Sequence, residues 1–165
     1  MDLKQLPVFQ KRHFVPENAD LTDAKTVVDL YTQLESRDIL TPKLLEQWML
    51  DRSELDAALS QTGSILYIRM TCQTDDKTIA DAYTKFIETV SPAIKPVNDR
   101  LNKKYLEARK TVTMDDKRLM VYDRSIKTDI ELFKEENIAL QTQVELLSQE
   151  YQTVCGAITV NFEGK

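Results

Sequence analysis

One histidine, two cysteines and three runs of paired acids are the residues of this chain whose types could do chemistry. His13 is the single histidine. A helical His-Glu-x-x-His zinc site needs two histidines one turn apart, so it cannot be written anywhere in the sequence. A metal-binding four-helix bundle built on Glu-x-x-His pairs fails for the same reason. His13 follows Lys11-Arg12 in a stretch without helical period and reads as a surface or packing histidine. Cys72 and Cys155 are too far apart to form a metal or redox spacing. They read as two reduced, buried thiols of a cytoplasmic protein. The pairs Asp75-Asp76, Asp115-Asp116 and Glu135-Glu136 fall at expected helix termini. There they read as caps, dipole partners or solvated ends before they read as a glycosidase pair. With only three glycines in the chain, a phosphate cradle or nucleophile elbow has nothing to be built from. No catalytic, cofactor-binding or metal-ligating residue is expected in this segment.

The elements that carry these residues read as helices. The organising stretch is 113–157, where Leu119, Tyr122, Ile126, Ile130 and Phe133 recur at steps of three or four, followed by Val144, Leu147, Tyr151 and Val154. Glu135-Glu136-Asn137 breaks the run, and Thr142 with Glu145 has the form of a capping box. An αα-hairpin is the expectation, with Leu119, Ile126, Ile130, Phe133, Val144, Leu147 and Tyr151 buried. Upstream, Pro7 and Pro16 break any period, so 1–21 reads as an extended arm lying across the helices. A helix starts near Thr22, with Asp23 at its positive end. Thr41-Pro42, a capping hydroxyl before proline at the first helical position, starts the next. Trp48, the only tryptophan, reads as a core anchor. Gly63 suggests a kink or a tight helix contact. Asp75-Asp76 caps a further helix, Pro92 and Pro96 interrupt it, and Val97, Leu101 and Tyr105 give another. Ile158 to Phe162 alternates and is rich in β-branched residues, so it reads as a strand. A strand that stops without its partner implies a chain cut from something longer.

The expected fold is therefore all-α: a bundle of about six antiparallel helices with one short C-terminal β-strand. Its domains are an arm over 1–21, a helical domain over 22–157, and the first strand and turn of a truncated hairpin over 158–165. At 165 residues the chain fits one domain with a sizeable core. A net charge of −5 with interspersed signs excludes the clustered basic field that nucleic acid requires. No apolar run approaches the ~20 residues of a membrane span, and Met1 to Gln10 lacks the apolar core of a signal peptide.

Five segments, taken in order, carry a resemblance. They are Arg12-His13-Phe14-Val15-Pro16, Trp48-Met49-Leu50-Asp51-Arg52-Ser53-Glu54-Leu55, Tyr67-Ile68-Arg69-Met70-Thr71-Cys72, Glu131-Leu132-Phe133-Lys134-Glu135-Glu136-Asn137 and Leu147-Ser148-Gln149-Glu150-Tyr151-Gln152. Together they resemble the N-terminal region of oligoendopeptidase F-type proteins, the bacterial relatives of thimet oligopeptidase. The closing 156–164 resembles that family's first β-hairpin. Ala139 departs from the proline of many relatives. The resemblance implies a mostly helical zinc metallopeptidase that cleaves short peptides in a deep channel. A His-Glu-x-x-His helix and a downstream glutamate would hold the zinc, all of it beyond Lys165, so no catalytic residue carries over. The N-terminal helices would wall the channel and limit substrates by size. The implied partners are the polypeptide's own C-terminal catalytic domain and short peptides, with self-association of the segment left open. The alternative from another class is a free-standing helical interaction module. Zinc-ligand motifs after Lys165 in the parent reading frame would decide for the peptidase.

Overall fold

Short polar side chains mark where helices begin, because each can take up N–H groups that a first turn leaves unbonded. In the computed structural model, which describes residues 11–114, 116–160 and 162, five helices follow. They are α1 (Ala24–Ser36), α2 (Pro42–Cys72), α3 (Lys77–Thr111), α4 (Asp116–Leu132) and α5 (Asn137–Gly156). The Asp23 carboxylate accepts from the Thr26 N–H at 2.8 Å, and the Thr41 hydroxyl oxygen accepts from that of Leu44 at 3.3 Å. Asp76 accepts from Thr78 and Ile79 at 2.9 and 3.3 Å. No described helix is long and apolar enough to cross a membrane.

The spine of the bundle is α3, which touches each of the other four helices. Trp48 of α2 meets Tyr105 of α3 while Tyr67 meets Tyr83, so α2 runs antiparallel to α3. Trp48 is 1% exposed, and its indole N–H donates to the Leu34 carbonyl of α1 at 2.9 Å. Around it lie Tyr31, Leu34, Leu45, Leu55, Leu101 and Tyr105, each almost wholly removed from water. Burying a side chain of this kind stabilises by about 1.5–3 kcal/mol, so this cluster sets the packing of α1, α2 and α3. Val15 and Leu21, before α1, reach the same core. Glu54 of α2 holds that segment: its carboxylate accepts from the N–H groups of His13, Phe14 and Val15 at 2.9, 2.9 and 2.8 Å.

Several expectations are corrected. The helices number five among the described residues because α3 runs through Pro92 and Pro96. An interior proline removes one backbone hydrogen bond and costs ~3 kcal/mol. Here Val90, Val97 and Leu101 are buried on both sides of the prolines, and core packing keeps the axis going. The expected C-terminal strand does not form: Ile158 to Val160 and Phe162 are irregular and exposed. Alternation supplies only side-chain preference, whereas a strand needs a neighbour for its N–H and C=O groups. Asn161 and the expected turn at Glu163-Gly164 lie outside the described residues, as do residues 1–10 of the arm. The αα-hairpin is also absent. Tyr105 of α3 bonds Asp123 of α4, and Thr84 of α3 bonds Gln149 of α5. Thus α4 follows the C-terminal half of α3 and α5 continues along its N-terminal half, end to end and without packing on each other.

Of the residues expected to be buried, Leu119 and Ile126 are, and Ile130 and Phe133 are partly so. Val144, Leu147 and Tyr151 are exposed, with Val154. The less exposed side of α5 is mixed: Ile138 and Leu146 are half-buried beside polar contacts, in which Gln149 pairs with Thr84, Glu145 lies 3.7 Å from Lys95, and Thr142 bonds back to the Ile138 carbonyl. Thr142 therefore sits inside α5, which begins at Asn137, and caps nothing. Both cysteines, expected to be buried, are exposed.

Candidate functional site

A groove lies between α2 and α3, with Glu145 of α5 at its edge. The groove has a volume of ≈ 630 Å³ and is lined mainly by apolar and aromatic side chains. That size and character suit a binding cleft for a small or extended ligand. Gly63 forms part of its wall, where a Cβ would stand 3.2 Å from the Phe86 ring. This is the tight contact that a glycine inside a helix signals. Tyr67 and Tyr83 meet edge to face across the groove, centroids 5.6 Å apart at 61°. At one end the Tyr31 hydroxyl donates to Asp56 at 2.5 Å. At the other, Glu145 of α5 accepts from the Ser91 hydroxyl at 3.5 Å.

Burial, and then the neighbouring Asp56 carboxylate, push the Tyr31 phenol well above its ordinary value. Burial and Glu145 raise Tyr83 in the same sense. Both phenols stay protonated at neutral pH, and that of Tyr31 donates its hydrogen to Asp56. No histidine or cysteine lines the groove, whose hydroxyl–carboxylate pairs are Tyr31 with Asp56 and Ser91 with Glu145. A second polar cluster ties α2 to α3. There the Arg52 guanidinium lies 5.7 Å from the Trp48 ring and donates to Asn102 at 2.7 Å.

The residues singled out by type stand apart from the groove. His13 is exposed beside α2 and is fixed through its backbone N–H. Cys72 ends α2, and Cys155 lies in the last turn of α5. Asp76 caps α3, Glu135 and Glu136 sit exposed between α4 and α5, and Asp115 lies outside the described residues, with the side chain of Asp116. No group of three or more His, Cys, Asp or Glu among the described residues could hold a metal ion, so these residues do not fit a zinc site. Tyr31, Asp56, Tyr83 and Glu145 were missed because they come from four separate parts of the chain. Gly63 was the one local signal.

A family model described as the peptidase M3 N-terminal domain matches residues 18–133. That span takes in α1 to α4 and stops before α5. No curated protein and no solved structure matches the chain.

Proposed function

Since the chain belongs to the peptidase M3 family, as its N-terminal domain, we infer that it is the non-catalytic helical wall of a zinc-dependent oligoendopeptidase of the F type. Zinc and the hydrolytic residues belong, in this reading, to a C-terminal catalytic domain of the same polypeptide. This segment contributes shape: it narrows the substrate channel so that short peptides enter and folded proteins do not. The observation that carries the reading is the family match across α1 to α4. The groove beside Gly63 supports it, as a largely apolar cleft with a few hydrogen-bonding groups suits an extended peptide. Two exposed, unpaired cysteines suit a reducing cytoplasm.

The test has two arms. The purified 165-residue chain is expected to bind no stoichiometric zinc and to leave a quenched-fluorescent peptide uncut. Stoichiometric zinc with chelator-sensitive turnover would overturn the inference. In the longer polypeptide, removing residues 1–157 is expected to lower activity on short peptides or to relax the size limit. An unchanged size limit in a folded deletion variant would refute the steric role.

A further inference from the structure

The groove between α2 and α3 carries charge of one sign. Among the described residues that line it, Asp56 and Glu145 are the acids, and no lysine, arginine or histidine joins them. We propose that the groove selects a peptide segment with a cationic side chain, held at a carboxylate, beside apolar side chains held on the wall. The proposal deepens the peptide reading of the groove and rests on it for the class of occupant.

Three observations carry the preference for positive charge. First, the acids are more open to solvent than their own cations. The side chains of Asp56 and Glu145 are 45% and 42% exposed, against 9% for Arg52 and 22% for Lys95. Each pair stands at 3.7 Å, longer than a hydrogen bond, and Arg52 and Lys95 line a different cavity. Second, both carboxylates keep acceptor capacity. Asp56 accepts from the Tyr31 hydroxyl at 2.5 Å and Glu145 from the Ser91 hydroxyl at 3.5 Å. An ionised carboxylate can take about four hydrogen bonds. Third, the apolar wall is partly aromatic, with Tyr67, Tyr83 and Phe86 along it. A ring face attracts a cation, and a planar guanidinium above all. Glu145 stands near enough to Tyr83 to add to the effect of burial on its phenol. An acidic peptide side chain would meet repulsion at both ends of the groove, so the site discriminates by sign.

Titration of the 165-residue chain with peptides acetylated and amidated, so that their termini are neutral, tests this. The probes are Ala-Phe-Arg-Leu-Ala and the same sequence with citrulline or glutamate in place of arginine. By calorimetry the arginine peptide is expected to bind roughly five- to tenfold more tightly than the citrulline peptide, and the glutamate peptide most weakly. In amide NMR the signal of Gly63, in the groove wall, is expected to shift and that of Gly156, at the end of α5, to stay. Glu145→Gln and Asp56→Asn are each expected to reduce the preference, and the double variant to bring it below about twofold. Glu150→Gln removes the same charge from the exposed side of α5 and is expected to change nothing, which separates the groove from the general attraction of a chain of net charge −5. Circular dichroism checks that each variant is folded, and the comparison of arginine with citrulline on the native chain needs no variant. Equal binding of all the peptides overturns the charge preference and leaves the peptide reading standing. A preference that survives the double variant, or that Glu150→Gln abolishes, overturns it as well. Binding of no peptide overturns the proposal, and the steric wall is then decided on its own by the size-limit experiment.

Discussion

Glu54 is the point at which one side chain holds a whole segment, and its removal has a magnitude that follows from geometry. Three backbone N–H groups, of His13, Phe14 and Val15, converge on its carboxylate within 2.9 Å. A hydrogen bond to a charged group contributes about 1.5–3 kcal/mol when it stands alone. Three that share one partly exposed carboxylate do not add, so Glu54→Ala is expected to cost about 2–4 kcal/mol. For a chain of this length that lowers Tm by roughly 5–12 °C. Glu54→Gln keeps one acceptor oxygen and turns an NH₂ toward an N–H, so about half of that loss is expected. The pH dependence has a definite sign. Burial draws the Glu54 carboxyl upward, but the N–H groups of His13, Val15 and Phe14 outweigh it and hold it below the ordinary 4.5. A depressed folded value means that the stabilisation is present above the unfolded value and is lost as pH falls through the folded one. The stability gap between the native chain and Glu54→Gln should therefore close in acid. Urea denaturation across pH measures the gap, and hydrogen exchange at 13–15 shows whether the loss is local. An unchanged midpoint in Glu54→Ala at neutral pH, with those amides still protected, would refute the clamp.

Other substitutions test other joints. Trp48→Phe leaves the buried Leu34 carbonyl without its indole donor and should cost about 2–4 kcal/mol in urea denaturation. Asp123 lies between the Arg109 guanidinium at 3.1 Å and the Tyr105 hydroxyl at 2.5 Å. Burial raises its carboxyl, but these partners prevail and hold it below 3.8. Asp123→Asn should therefore cost about 2 kcal/mol at neutral pH and little once acid has protonated the native carboxylate, a difference that denaturation at two pH values reads directly. Gly63→Ala should gain up to about 0.5 kcal/mol, because helix propensity outweighs a small displacement of the Phe86 ring into the open groove. A loss of stability would show that the groove wall is rigid.

Local chemistry was legible in the sequence where one residue type meets one backbone demand. Thr41 before Pro42, Asp76 before α3, and a lone tryptophan between apolar periods each have a single physical use, and each is found in it. Pro92 and Pro96 mislead because their effect is a local cost, while continuity of α3 is decided by distant partners in the core. The groove was illegible for the converse reason. Tyr31, Asp56, Tyr83 and Glu145 have no common spacing, and only the packing of α1, α2 and α5 around α3 brings them together.

The instructive case is α5, whose apolar stripe was read correctly as a stripe and wrongly as the face turned to the bundle. Periodicity states that one side of a helix will leave water; it does not state which neighbour will cover it. The inner side of α5 carries Thr142, Glu145 and Gln149 with half-buried Ile138 and Leu146, and α3 answers the polar ones with Thr84, Ser91 and Lys95, so hydrogen bonds and one ion pair orient the helix. Such contacts fix orientation but contribute little net stability where water reaches them. The larger apolar term of α5 is still unspent in the isolated bundle. That is why α5 contributes no residue to the core although its sequence is as apolar as its neighbours'. The family match ends before α5 begins, so this helix lies outside the matched span, and its outward apolar side chains have no cover among the described residues.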